Sequence, residues 1–94
     1  MQYFDAEYEQ QFNSIIDNEE LNLEEKLLLI MIFRYYNEEK GYSYSSKEKL
    51  KELCSFTTDR DYYKELKSLE DKGYITKETI KGKGCKFYIN FNRE

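Results

Sequence analysis

The sequence predicts a small α+β fold, mainly α, in which four helical segments precede a C-terminal β-hairpin. Apolar residues recur with helical periodicity through most of the chain, and two strand-like runs joined by Lys81-Gly82-Lys83-Gly84 follow. The 94 residues leave room for one hydrophobic core, and aromatic side chains make up 17% of the chain, enough ring surface to close it. With no proline and no linker-like stretch, we expect a single domain over residues 1–94.

The first half of the chain predicts two helices. An apolar stripe with a 3.6-residue period marks the first, expected from residue 5 to about residue 18; its members are Phe4, Tyr8, Phe12, Ile15 and Ile16. Asn22 with Glu25 three residues later is a capping box that begins the second helix, expected to end near Glu39, before Gly41. Residues 27–33 are apolar on every face, which predicts a central core helix. Contact of the surplus face with a second copy of the chain is the alternative.

The middle of the chain predicts a short strand and a short helix. Tyr42-Ser43-Tyr44 alternates as a strand does, and we expect its tyrosines to pack beside the core, a stacking platform for single-stranded nucleic acid being the alternative. Ser45 and Glu48 form a second capping box, for a helix that reaches Cys54 with Leu50 and Leu53 inward.

A second helix and a hairpin follow the turn Ser55-Phe56-Thr57. Thr58 with Asp61 is a third capping box, and the helix that it begins should end at Gly73. Its inward residues recur at helical spacing and are Tyr62, Leu66 and Leu69. Residues 74–80 are rich in β-branched side chains and predict one strand, and alternation over residues 85–91 predicts its partner; the inward residues of the latter are Cys85, Phe87, Ile89 and Phe91.

A short helix, a three-residue turn and a second helix ending at glycine make a helix-turn-helix pattern, and a basic hairpin directly follows it. Residues 22–91 resemble the winged helix-turn-helix domains of small phage and plasmid proteins, including replication initiators and replisome organisers of the DnaD type. The resemblance rests on Asn-Leu-Glu-Glu-Lys-Leu-Leu at 22–28, Ser-Lys-Glu-Lys-Leu-Lys-Glu-Leu at 46–53 and Leu-Lys-Ser-Leu-Glu-Asp-Lys-Gly-Tyr-Ile at 66–75. It covers about 70 of the 94 residues and implies a winged helix-turn-helix core with residues 1–20 as an N-terminal helical extension.

The resemblance also implies binding to double-stranded DNA, with the second helix of the motif in the major groove. Arg60 is the residue that we expect to pair with guanine, an intrahelical ion pair with Asp61 being the alternative. Carried over by position, the base-facing candidates are Thr58, Asp59, Arg60, Tyr63, Lys64 and Lys67, and all but Asp59 are predicted to bind DNA. The hairpin adds lysines suited to the phosphate backbone or the minor groove, unless they only protect a strand edge; they are Lys77, Lys81, Lys83 and Lys86.

Charge is divided between the two halves of the chain. Residues 1–39 carry a net charge of −8 and residues 40–94 a net charge of +4, so only the C-terminal part is suited to a polyanion. Asp59, Asp61 and Glu65 nevertheless lie on the DNA-facing helix, where carboxylates repel phosphate. A second hypothesis therefore remains: an acidic winged helix that binds a protein partner, as an adaptor or an anti-CRISPR-type inhibitor of a nucleic-acid enzyme.

Other classes of function are disfavoured. The chain has no histidine and no glycine-rich phosphate loop, and Cys54 and Cys85 have no ligand spacing around them. We therefore expect reduced thiols, a redox or dimer-linking role being the alternative, and no metal, no cofactor and no enzyme activity. No apolar run is long enough to span a membrane and no signal-peptide pattern begins the chain, which indicates a cytoplasmic protein. The expectation is a homodimer acting in transcription control, replication initiation or partition.

Overall fold

The computed structural model describes residues 6–81 and 84–90, with side chains from residue 9 onward. The helices are α1 (Ala6–Ile16), α2 (Leu23–Arg34), α3 (Lys47–Leu53) and α4 (Asp59–Asp71). The strands are β1 (Tyr36–Asn37), β2 (Tyr42–Ser45), β3 (Ile75–Ile80) and β4 (Gly84–Ile89). This order confirms the predicted mainly helical α+β fold, with a helix before the core and a hairpin at its end. The expectations for Phe4, Tyr8, Lys83 and Phe91 concern side chains that lie outside the described part of the chain.

The strands form one antiparallel sheet in the order β1-β2-β4-β3. Phe87 of β4 lies opposite Ser43 of β2 and Lys77 of β3, and directly opposed residues share a face of the sheet. Since Phe87 is fully buried, this is the face that packs on the helices. Lys86, Tyr44 and Glu78 are paired in the same way on the opposite, outer face.

Helix α2 begins where the sequence predicts and ends earlier. The Asn22 side chain accepts a bond from the Glu25 amide at 2.7 Å, and the Glu25 carboxylate accepts one from the Asn22 amide at 2.9 Å. The expected end near Glu39 is wrong, because the helix stops at Arg34 and the next residues form β1 against β2. Gly41, at φ 78°, lies in the connection between these two strands.

Strand β2 presents its serines to the core and its tyrosines to the outer face of the sheet. Ser43 and Ser45 are buried and Tyr44 is 46% exposed, so the small side chains face the core and the large one faces outward. Ser45 belongs to this strand and does not cap α3; the cap is Ser46, whose Oγ accepts a bond from the Lys49 amide at 3.1 Å. Leu53 is 37% exposed, contrary to the expectation that it faces inward, while Leu50 is fully buried.

The core lies between α2, α4 and the inner face of the sheet. Its residues lose nearly all solvent contact, and those at 1% exposure or less are Leu28, Ile32, Leu50, Tyr62, Leu66, Leu69 and Phe87. This confirms residues 27–33 as part of a central core helix. Ile15 of α1 packs against the cluster, but Ile16 is 42% exposed, so α1 covers the core with a narrower stripe than expected.

A buried carboxylate ties α2 to α4. Glu25, only 1% exposed, accepts a hydrogen bond from the Ser68 hydroxyl at 2.5 Å and forms an ion pair with Lys72 at 3.0 Å. Lys72 also donates to the backbone carbonyl of Glu20. A buried charge is tolerated when it is paired and hydrogen-bonded, and these contacts fix the position of α4 on the core.

Candidate nucleic-acid interface

The turn between α3 and α4 is held by its own backbone. The Cys54 amide donates to the Leu50 carbonyl at 3.0 Å and the Phe56 amide to the Lys51 carbonyl at 2.9 Å. Between them Ser55 takes a positive φ of 60°, the left-handed conformation that often ends a helix. The Phe56 ring then meets the edge of the buried Tyr62 ring at a centroid distance of 6.3 Å, so the turn is anchored to α4.

Thr58 begins α4 as predicted. Its Oγ1 accepts a hydrogen bond from the Asp61 amide at 3.1 Å. Because a hydroxyl accepts and donates at once, the Thr58 proton is still able to donate to a phosphate oxygen. The other predicted site residues of α4 are exposed and lie along one face of the helix, called here the exposed stripe. They are Arg60, Tyr63, Lys64 and Lys67.

The cations of this stripe differ in their partners. Lys67 pairs with Asp71 at 3.6 Å, but both side chains are more than 60% exposed, so water weakens the pair. Over the described part of the chain, Arg60 and Lys64 form no ion pair. The alternative expectation of an intrahelical pair between Arg60 and Asp61 is therefore not what the structure shows.

Glu65 does not lie on the exposed stripe. It is 8% exposed and faces the start of α2, where the Asn22 side-chain amide donates to its carboxylate at 3.4 Å. Placing Glu65 with the acids of the DNA-facing surface is thus wrong. The helical period explains the difference, because residue 65 follows Tyr62 and Leu66 onto the inner side of α4.

Asp59 is neutralised by two lysines of α3. Its Oδ2 lies 3.0 Å from the Lys47 ammonium and its Oδ1 lies 2.5 Å from that of Lys51. The hydrogen bonds from Lys51 and Lys47 hold the pKa of Asp59 below its usual value, and the bond to Asp59 raises the pKa of Lys47. The carboxylate that most directly opposed DNA binding therefore belongs to a cluster with a net positive charge.

Tyr63 lies where three elements meet. Its ring is 47% exposed, with the Lys47 ammonium of α3 5.8 Å and the Lys77 ammonium of β3 5.5 Å from its centroid. Lys77 occupies the inner face of the hairpin, opposite Phe87, and this face is the one directed at α4. Tyr63 thus connects the basic residues of α3, α4 and β3 into one surface.

The hairpin lysines do not form one cluster. Lys77 faces α4, whereas Lys86 lies on the outer face of the sheet, 4.6 Å from the centroid of the Tyr42 ring. Lys81 is exposed at the end of β3, and Lys83 is outside the described residues. The site residues that the structure brings together are thus those of the exposed α4 stripe and Lys77.

Lys47 and Lys51 were not among the predicted site residues. Four residues apart on α3, they share the helix face that points toward the start of α4. The spacing of these lysines around the inward-facing Leu50 was the available sequence signal, but their proximity to Asp59 depends on how the two helices pack.

Within residues 9–81 and 84–90, no group of three or more acidic or cysteine side chains is placed to hold a metal ion. Cys54 and Cys85 are both free thiols, and burial raises the pKa of Cys54 to about 11, which keeps it protonated and unreactive. No helix in the described part of the chain has the length and apolar character needed to cross a membrane.

Comparison with known proteins identifies the arrangement of α2, α3 and α4. A family model described as a helix-turn-helix domain matches residues 19–75, which is more than half of the chain. A search of curated proteins and a search of solved structures each find no significant match. The matched segment begins before α2 and ends as β3 begins.

Proposed function

The chain belongs to a family of helix-turn-helix domains, and on that premise we propose that it binds double-stranded DNA with α4 in the major groove and the β3–β4 hairpin against the backbone. In such motifs the second helix presents its N-terminal residues to base edges while the first crosses the phosphate backbone. Here α4 is the second helix and α3 the first.

The observation that carries the proposal is the continuous basic surface around Tyr63. Arg60, Lys64 and Lys67 extend along the exposed face of α4, and the ammonium groups of Lys47 and Lys77 lie 5.8 and 5.5 Å from the centroid of the Tyr63 ring. In the proposed complex Arg60 pairs with base edges, since its guanidinium matches the two acceptors of guanine. Thr58, the lysines of α4 and the hairpin lysines Lys77, Lys81, Lys83 and Lys86 bind phosphate.

The acids on α4 support a protein-binding function less than the sequence indicates. Glu65 is buried, and Asp59 is paired with two lysines. Of the acids beside Arg60, this leaves Asp61, which is exposed and forms no ion pair within the described part of the chain. One carboxylate in the first turn of a helix is favoured by the helix dipole and needs no partner protein to explain it.

We infer that the protein acts as a phage- or plasmid-type regulator, in transcription control, replication initiation or partition. Each of these processes begins with sequence-selective binding to duplex DNA, which is the step that the α4 surface supports. A homodimer suits this role, because two copies of α4 spaced about 34 Å apart match successive turns of one face of the duplex.

Fluorescence anisotropy of a labelled random-sequence duplex, titrated with the protein at several salt concentrations, tests DNA binding. We expect binding at low salt and a slope of log K against log salt near −0.9 for each phosphate contacted, corresponding to roughly four to eight phosphates for a dimer. Absence of binding at low salt would overturn the proposal and would favour a protein partner.

Arg60→Ala tests the assignment of base contacts once a preferred site has been selected from random duplexes. We expect a loss of about 1 to 3 kcal/mol on the preferred site and a much smaller loss on random DNA. Lys67→Gln is the matched control, since loss of a phosphate contact weakens both complexes alike. Equal losses from Arg60→Ala on the two duplexes would exclude Arg60 from base contacts.

A further inference from the structure

The contact between Asp59 and the two α3 lysines concerns the surface proposed to meet DNA. Asp59 is the first residue of α4, and Lys47 and Lys51 approach separate oxygens of its carboxylate, at 3.0 and 2.5 Å. The Asp59 side chain is 51% exposed and those of the lysines 32% and 23%, so the three groups lie at the surface and not in the core.

A carboxylate held in this way resembles a backbone phosphate in its chemistry. Both groups present two anionic oxygens, and ammonium groups bind either through charge-assisted hydrogen bonds. In helix-turn-helix complexes the first helix crosses the phosphate backbone, and here that helix carries Lys47 and Lys51. Exposed ion pairs contribute little to stability, so the lysines can leave Asp59 at small cost.

We propose that Asp59 occupies in the free protein the place of a DNA phosphate between Lys47 and Lys51, and that both lysines exchange from Asp59 to the DNA backbone on binding. This inference rests on the proposed duplex-binding function and adds a residue that limits the affinity for DNA. Asp59 competes for the two lysines with DNA of every sequence, so it weakens nonspecific binding. Specific and nonspecific complexes use the same phosphate contacts, so the competition lowers both affinities alike and leaves the choice of sequence to contacts with bases.

The chain offers a matched control for this role. Asp61 lies in the same first turn of α4, is also exposed and carries the same charge, yet forms no ion pair within the described part of the chain. Asp59→Asn and Asp61→Asn thus remove the same charge from the same helical turn, and only Asp59→Asn releases two lysines. The Thr58 cap accepts from the Asp61 backbone amide and persists in both variants.

Binding of the random-sequence duplex at low salt is the measurement. We expect Asp59→Asn to tighten it by about three- to tenfold and Asp61→Asn by less than about twofold, since the latter only reduces general repulsion. In a Lys47→Gln/Lys51→Gln background the gain from Asp59→Asn should disappear. Thermal unfolding by circular dichroism verifies that each variant is folded, and Asp59→Ser repeats the test with a second neutral side chain.

The outcomes separate this inference from the function on which it rests. Equal gains from Asp59→Asn and Asp61→Asn, or a gain that persists without the two lysines, would overturn the exchange while leaving duplex binding intact. If the wild-type protein binds no duplex at any salt concentration, the proposed function fails, and the exchange with DNA fails with it.

Discussion

Glu25 shows how one polar side chain organises this small core. Burial alone would raise the pKa of its carboxyl group, but hydrogen bonds from the Asn22 amide and the Ser68 hydroxyl, together with the Lys72 ammonium, outweigh burial and hold the pKa below the ordinary 4.5. The same carboxylate closes the capping box of α2 and binds two residues near the end of α4. One residue thus fixes both the start of a helix and the packing of its neighbour.

Acid should weaken the fold through Glu25. A lowered pKa in the folded state means that the carboxylate contributes its full stability above pH 4.5 and loses it as the pH falls through the folded-state value. We expect Glu25→Gln to lower the free energy of unfolding by roughly 2 kcal/mol at neutral pH, because Lys72 loses its buried partner. This deficit relative to the wild type should shrink below pH 4.5.

Urea denaturation of the two proteins across pH 3 to 7 measures this difference, the acidic limit being about 1.5 units below the ordinary carboxyl pKa of 4.5. Glu24→Gln, an exposed change on the same turn of α2, is the control and should have little effect at any pH. A deficit for Glu25→Gln that stays constant down to the acidic limit would show that the buried charge is not its cause.

At the scale of elements, α4 depends on local signals at both ends. Thr58 satisfies the Asp61 amide at its start, and Gly73 takes a φ of 84° just after the Lys72 cap at its end. A side chain with a Cβ rarely adopts that conformation, so glycine ends the helix at this point. Together the two signals set the length of the helix, whose exposed stripe carries Arg60 and Tyr63.

Thr58→Ala should reduce stability by about 1 kcal/mol, because the Asp61 amide loses its acceptor. Thr57→Ala is the matched control: it removes the same atoms from the neighbouring exposed residue, which is not the cap of α4, and should change stability by less than about 0.5 kcal/mol. Urea denaturation at neutral pH compares them. Equal effects of the two substitutions would contradict the assignment of Thr58 as the cap.

At the scale of the whole molecule, exposed apolar side chains agree with the proposed dimer. Leu23 at the start of α2 is 76% exposed and Ile16 at the end of α1 is 42% exposed. Neither residue belongs to α4, the helix proposed to contact DNA. Scattered exposed leucines are common in monomers, so the oligomeric state needs its own measurement.

Sedimentation equilibrium over the concentrations used for DNA binding should give twice the 11.5 kDa mass of the chain. Leu23→Lys is expected to shift the protein toward monomer if α2 begins within the interface, and Glu24→Lys, at the adjacent and also exposed position, is the control. A mass of one chain at every concentration would remove the dimer and its two-fold DNA site from the proposal.

The sequence by itself determined the fold class and the order of the elements, apart from β1. Helical periodicity, the caps at Asn22 and Thr58 and the glycine at position 73 act over a few residues, so they can be read without knowing what packs against them. The same local signals placed Arg60, Tyr63, Lys64 and Lys67 on one helix face. They also placed Tyr62 and Phe87 in the core, and both are buried.

Only the tertiary structure decided which charges of that surface are available to DNA. Asp59 and Glu65 look alike in the sequence, but one is paired with Lys47 and Lys51 across a turn and the other faces α2. Likewise α2 ends early because Tyr36–Asn37 finds a partner in β2, and Lys77 and Lys86 separate because the pairing of β3 with β4 puts them on opposite faces. These outcomes depend on contacts between segments distant in the chain, where the free energy of packing and pairing outweighs local preference.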